Sequence, residues 1–171
     1  MAVVYCPDCF ERGNHRFVLE QPGEHMLLVI GLNPSMADGS HSDPTMRSVL
    51  RLTNDNGYDG YAMMNLSSER ATDKRNLALI LDEAMHLQNL DVASKLLSRY
   101  PAADLLVAFG NGILIRPYLK DCFRDLYGIL RGSKGRWMQI GQLTKKGNPR
   151  HPLYAWREWR LEPFDVESYL S

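Results

Sequence analysis

The sequence is short of cysteine, of long apolar runs and of net charge, and each shortage excludes something. Three cysteines in 171 residues, Cys6, Cys9 and Cys122, cannot all pair, and nothing else points to secretion, so a disulfide framework is not expected. No apolar run approaches the roughly 20 residues of a membrane span. The first residues also lack the basic, then apolar, then small-residue order of a secretory signal. A cytoplasmic protein with no membrane partner is expected. With 44% apolar and 23% charged residues, the chain suits one globular α/β domain over residues 1–171, including a short cysteine-containing N-terminal extension over 1–15. No internal repeat, low-complexity tract or linker divides it.

Formal net charge is zero, which by itself argues against a nucleic-acid partner. The distribution argues the other way. Between Arg131 and Arg160 stand Lys134, Arg136, Lys145, Lys146, Arg150 and Arg157, with Glu158 the single acid. A segment of this density can attract a phosphate backbone, and it can equally be a solvated edge of the domain.

What is present in strength is a buried strand with a polar exit. Residues 26–38 read MLLVIGLNPSMAD, and five apolar residues without alternation predict a strand covered on both faces. Gly31 and Pro34 then shape a turn that presents the Asn33 amide at the carboxyl end of the strand, where open α/β sheets place ligands. The pattern predicts a short edge strand over 16–20 and further strands over 61–66, 104–109 and 137–140. A helix is expected from Pro44, with Asp43 as its cap and Gly57 at its end. Asp73 is placed to cap a helix carrying Leu77, Ile80, Leu81 and Ala84. Further helices are expected around 92–97, ending before Pro101, and from Pro117 to about Leu130. Strands alternating with helices imply a three-layer α/β fold around a central parallel sheet of about four strands. Its exits carry Asn33, Asn65, Asn111 and His151.

Several of these residues have a plain structural use. Asn33 can close a turn before Pro34, Asn65 can bond backbone at a strand end, and His151 can be a loop histidine. Arg70 can pair with Asp73 or bind phosphate through its planar fork. Asp38, His41 and Asp43 can gather a metal, although a helix cap is the simpler use of Asp43. Cys6 and Cys9 have the spacing of half a zinc knuckle, with His15 as an available third ligand. No second cysteine pair accompanies them, so no cofactor is expected and zinc is the open alternative. Cys122 falls in an apolar helical pattern, as a buried thiol does.

GLNPSMAD at 31–38, DPT at 43–45, MNLSSERATD at 64–73, AFG at 108–110 and TKKGNPRHPLY at 144–154 resemble the bacterial and phage domain-of-unknown-function family DUF1643. More distantly, in order and placement, GLNP at 31–34, AMMN at 62–65, LLVAFG at 105–110 and HPLY at 151–154 are similar to the motifs of the uracil-DNA glycosylase superfamily. That likeness implies a glycosylase-like fold and a nucleobase-binding protein, either an N-glycosidic hydrolase acting on a base in DNA or a nucleotide, or a noncatalytic recognition module. It implies that Asn33 holds the attacking water, Asn65 reads a base edge beside Phe109, and His151 donates to the leaving base, with Leu153 near the loop that opens the base stack. Arg70, Lys145, Lys146 and Arg150 would then meet phosphates. Ser35 stands where related Asn-containing glycosylases usually have Gly, and Leu153 replaces the Ser of the usual His-Pro-Ser loop. The Asn33 amide cannot accept a proton, which suggests a slow enzyme or one with another base.

Overall fold

The computed structural model describes residues 12–35 and 44–171. Its centre is the apolar run: strand β2 (Met26–Gly31) is buried along its whole length. Alternate side chains enter two different cores, Leu28 and Ile30 on one face and Leu27 and Val29 on the other. A strand without polar residues is stable only in such a position, because each face must be covered. Helix α1 (Pro44–Asp55) covers one face with Met46, Val49 and Leu52. Helices α2 (Glu83–Arg99) and α3 (Tyr118–Leu130) cover the other through Val92, Leu96, Leu119, Phe123 and Leu126. Pro44 opens α1 as expected, since the first helical position needs no N–H donor. Gly57 follows its end with φ +83°, a conformation other residues resist. Asp43, Asp38 and His41 lie outside the described residues, as do Cys6 and Cys9.

The remaining strands are β1 (Leu19–Gln21), β3 (Gly60–Asn65), β4 (Asp104–Val107), β5 (Trp137–Ile140) and β6 (Leu161–Pro163), in the order β1-β3-β2-β4-β5-β6. The expected parallel sheet of about four strands is therefore corrected to a mixed sheet of six. The inner pairings are parallel, while β1 on β3 and β6 on β5 are antiparallel. The outer strands have only three residues each, and β6 ends in Pro163, so neither produces a long apolar signal. Among the described residues, no helix is long and apolar enough to cross a membrane.

A second correction concerns the helix expected after Asp73. Asp73 caps only a three-residue 3-10 turn, Lys74–Asn76, and a second cap, Asp82, starts α2 at Glu83. Between them the chain is held open from outside, because the Arg116 guanidinium donates to the carbonyls of Arg75, Leu77 and Ala78. Of the four apolar residues that suggest the helix, Leu77 is in the core and Leu81 packs against it, but Ile80 is 83% exposed and Ala84 is exposed, so their spacing does not mark one buried face.

Cys122 sits on the buried side of α3, and burial, helped by the nearby Asp125 and Asp121 charges, pushes its thiol up to about 12. The thiolate is the reactive form. Native protein treated with iodoacetamide near pH 8 should therefore leave Cys122 unmodified in a mass-spectrometric peptide map, and unfolded protein should not. Rapid native alkylation of Cys122 would contradict the packing of α3.

Candidate functional site

Parallel pairing delivers the carboxyl ends of β2 to β5 to one sheet edge. Two adjoining cavities open there. The larger, about 420 Å³, is lined by Lys74, Phe109, Gly110, Asn111, Thr144, Lys145, Arg150, His151 and Tyr154, with Gly112 on its wall. The smaller, about 50 Å³, lies among Arg16, Asn33, Ser35, Thr45, Asn65 and His151. His151 lines both. A third space of about 490 Å³ lies at the opposite edge. Its two arginines are already matched: Arg99 pairs with Glu20 and Arg136 with Asp104.

The small cavity is an acceptor-rich pocket. The Asn33 Nδ2 donates to the carbonyls of Ala71 at 2.8 Å and Pro34 at 3.1 Å. These bonds fix the amide plane and leave Oδ1 without a protein donor among the described residues. Asn65, at the end of β3 and 4% exposed, has a buried Oδ1 with no hydrogen-bond partner among the described residues. An unmatched buried acceptor costs about 1–3 kcal/mol unless something donates to it. Gly31 makes this arrangement possible, because a Cβ there would stand 2.5 Å from that oxygen. The Asn65 backbone carbonyl is satisfied separately by Asn89 of α2, at 2.8 Å.

His151 is positioned by two local devices. Its Nδ1 accepts from the Leu153 N–H at 3.2 Å, capping the 3-10 turn Pro152–Tyr154. That acceptor role leaves the proton of a neutral ring on Nε2, so Nε2 is the donor. Behind it, Gly110 has φ +62°, and a Cβ there would come within 2.9 Å of the His151 Cβ. The loop before His151 is braced by Asn111, whose Oδ1 accepts from Thr144 Oγ1 at 2.8 Å and from Asn148 Nδ2 at 3.0 Å. Asn148 in turn accepts at 2.7 Å from Tyr169 of helix α4 (Val166–Leu170). Burial pushes the Tyr169 hydroxyl up to about 12, so it remains a donor at neutral pH.

The expected site residues divide. Asn33, Asn65 and His151 share the small cavity, and Lys145 and Arg150 join His151 in the large one. Phe109 is 1% exposed, with its ring edge-on to Phe123 at 5.0 Å, so it supplies floor rather than an open stacking face. Lys146 is exposed, and neither Lys146 nor Arg70 lines either cavity. Arg70 does not pair with Asp73: Arg75 forks both Asp73 oxygens and holds that carboxyl down to about 2. His15 Nδ1 lies 2.9 Å from Ser68 Oγ. The basic segment is split by β5. Arg136 precedes that strand, at the far edge. There burial raises the Asp104 carboxyl, but bonds from Arg136 and Tyr58 outweigh it and hold it below the usual range. Lys145 and Arg150 follow the strand. Sequence reasoning missed Lys74, Thr144 and Tyr154 as lining residues. Lys74 carries no local signal: its side chain passes Gly112, where a Cβ would stand 3.3 Å from the lysine Cδ and 2.5 Å from Leu32 Cδ2.

A family model described as "Protein of unknown function (DUF1643)" matches residues 16–153. The chain belongs to that family. The match takes in every residue lining the small cavity and all but Tyr154 of the large one. It stops short of the bracing helix α4. No curated protein and no solved structure matches the chain.

Proposed function

We propose that the carboxyl-edge cleft binds a phosphate-bearing nucleobase and that the chain acts on its N-glycosidic bond. The observation that carries this reading is His151 standing between a cavity roomy enough for a nucleotide and a smaller one with room for water. Lys74, Lys145 and Arg150 offer charge to phosphate, and Tyr154 offers a ring. In the reaction, the C1′–N bond breaks with its electron pair leaving on the base, which the His151 Nε2–H stabilises. Water held by the Asn33 and Asn65 oxygens adds its oxygen to C1′, and its surplus proton passes to solvent. This assignment gives Asn65 a water-holding role and moves base reading to the large cavity. The glycosylase-like likeness of the motifs agrees with this chemistry and is part of the proposal.

One observation favours a second reading, a noncatalytic nucleotide-recognition module: among the described residues, no Asp or Glu lines either cavity. Single-turnover assays separate the two, since only the hydrolase releases free base. For binding, calorimetry with a panel of nucleoside monophosphates should find a ligand whose affinity falls with salt. The double variant Lys145→Ala/Arg150→Ala should weaken it about tenfold or more, from the loss of charge-assisted bonds. Lys146→Ala, outside the lining, should change it less than about twofold. Equal effects at all three positions would mean nonspecific attraction rather than a cleft, and no affinity for any monophosphate would remove the reading.

A further inference from the structure

Between β5 and β6 the chain makes one excursion, residues 141–160, closed at its neck by the Gly141 N–H donating to the Arg160 carbonyl at 2.9 Å. Because β5 ends at the carboxyl edge, the excursion leaves the sheet beside the cleft, which its Thr144, Lys145, Arg150, His151 and Tyr154 line. It exposes an unusual amount of ring and alkyl surface: Tyr154 is 66% exposed, Trp156 62%, Leu153 43% and Leu143 38%. Exposed apolar surface grouped in this way marks an interaction face.

The Trp156 ring is held in advance. It lies 4.8 Å from Trp159 at an interplanar angle of 30°, and Trp159 packs on Gly141, where a Cβ would stand 2.9 Å from the indole. Arg150 lies over Trp159 at 4.5 Å and also lines the cleft, while its side chain donates to the carbonyls of Gln142 and Leu143. The same excursion carries Lys145, Lys146, Arg157 and Arg160 in sequence, all exposed, with Glu158 its single acid. Rings in a cation-rich segment, joined to the cleft through Arg150, match unpaired bases joined by phosphates. Each base can stack, and each phosphate meets a positive charge. A duplex keeps its base faces hidden, so it cannot use Trp156.

From this we propose that residues 141–160 form a track for single-stranded nucleic acid, leading one nucleotide into the cleft while a neighbouring base stacks on Trp156. The proposal rests on the nucleotide-binding reading of the cleft and assigns its substrate class as a strand rather than a free nucleotide or a duplex.

Fluorescence anisotropy with labelled oligothymidylate and oligouridylate of about 12 nucleotides tests it. The same thymidylate annealed to its complement serves as the duplex arm, and calorimetry with a nucleoside monophosphate as the cleft arm. The single strand should bind more tightly than the monophosphate and the duplex, and comparison of the two oligomers tells DNA from RNA. Trp156→Ala should lower single-strand affinity about tenfold more than it lowers monophosphate affinity, and Trp156→Phe should restore most of the loss. A folded Trp156→Ala variant with wild-type single-strand affinity, or a duplex bound as tightly as the strand, overturns the track. If the monophosphate binds and neither oligomer binds better, the track falls and the cleft reading stands. If the strand binds through Trp156 and no monophosphate binds, the cleft reading fails instead.

Discussion

Replacing Gly110 by alanine is expected to destabilise the protein by about 1–3 kcal/mol and to weaken ligand binding in the cleft by about tenfold or more. Two penalties combine at this position. Its φ of +62° is a conformation in which a Cβ crowds the backbone, at about 1–2 kcal/mol. The added carbon would also stand 2.9 Å from the His151 Cβ and 3.3 Å from its backbone nitrogen. Those atoms belong to a loop that the Asn111, Thr144 and Asn148 bonds keep in place, so the clash is relieved by moving His151 away from the wall it shares between the cavities. Gly57 provides the control. It has φ +83° and nothing within 4 Å of its would-be Cβ, so Gly57→Ala carries the conformational cost without the clash. Denaturant unfolding should show both variants destabilised, while the His151 ring resonances and nucleotide affinity should change in Gly110→Ala alone. If the two variants bind alike, the close approach of Gly110 to His151 does not set the site.

Gly110 also shows what was readable before the fold was known. The apolar stretch 105–109 predicts a strand, and the following glycine predicts a turn, but not what the turn leaves room for. That is His151, distant in sequence, and only strand order brings it there. The same division runs through the whole chain. The spans of β2, α3 and β5 are legible to within a residue or so, because the unbroken apolar run of β2, the helical spacing of α3 and the alternation of β5 each match their burial. The 73–84 helix was misread because Arg116, from the far side of β4, satisfies the carbonyls that a helix would have bonded internally. Charge density along 131–160 does not translate into one basic surface, for a different reason. A strand of four residues separates Arg136 from Lys145 by the depth of the sheet, so neighbours in sequence face opposite edges. The candidate residues Asn33, Asn65 and His151 were legible as strand exits. Their common cavity follows from parallel pairing. Lys74 was not legible, since it reaches the cleft from a turn after β3 to lie on Gly112.

Substitutions of His151 should separate the work of its two ring nitrogens. Nδ1 serves the fold: it accepts the Leu153 N–H, as a capping side chain does at the start of a turn opened by proline. Nε2 is the donor assigned to the leaving base. Asparagine places an acceptor close to the Nδ1 position and is itself a favoured cap, but nothing of it reaches as far as Nε2. Alanine supplies neither group. His151→Ala should therefore lose about 1 kcal/mol of stability from the missing cap, while His151→Asn should stay within about 0.5 kcal/mol of wild type in urea unfolding. For base release under single-turnover conditions the two should fall together, by about 100-fold or more, because both lack the donor. Pairing a stability assay with a rate assay prevents loss of fold from passing for loss of chemistry. Release at the wild-type rate by folded His151→Asn would exclude Nε2 as the donor. If the wild type releases no base while nucleotide affinity still depends on His151, the recognition module becomes the reading of the site, and the missing carboxylate is then its simplest explanation.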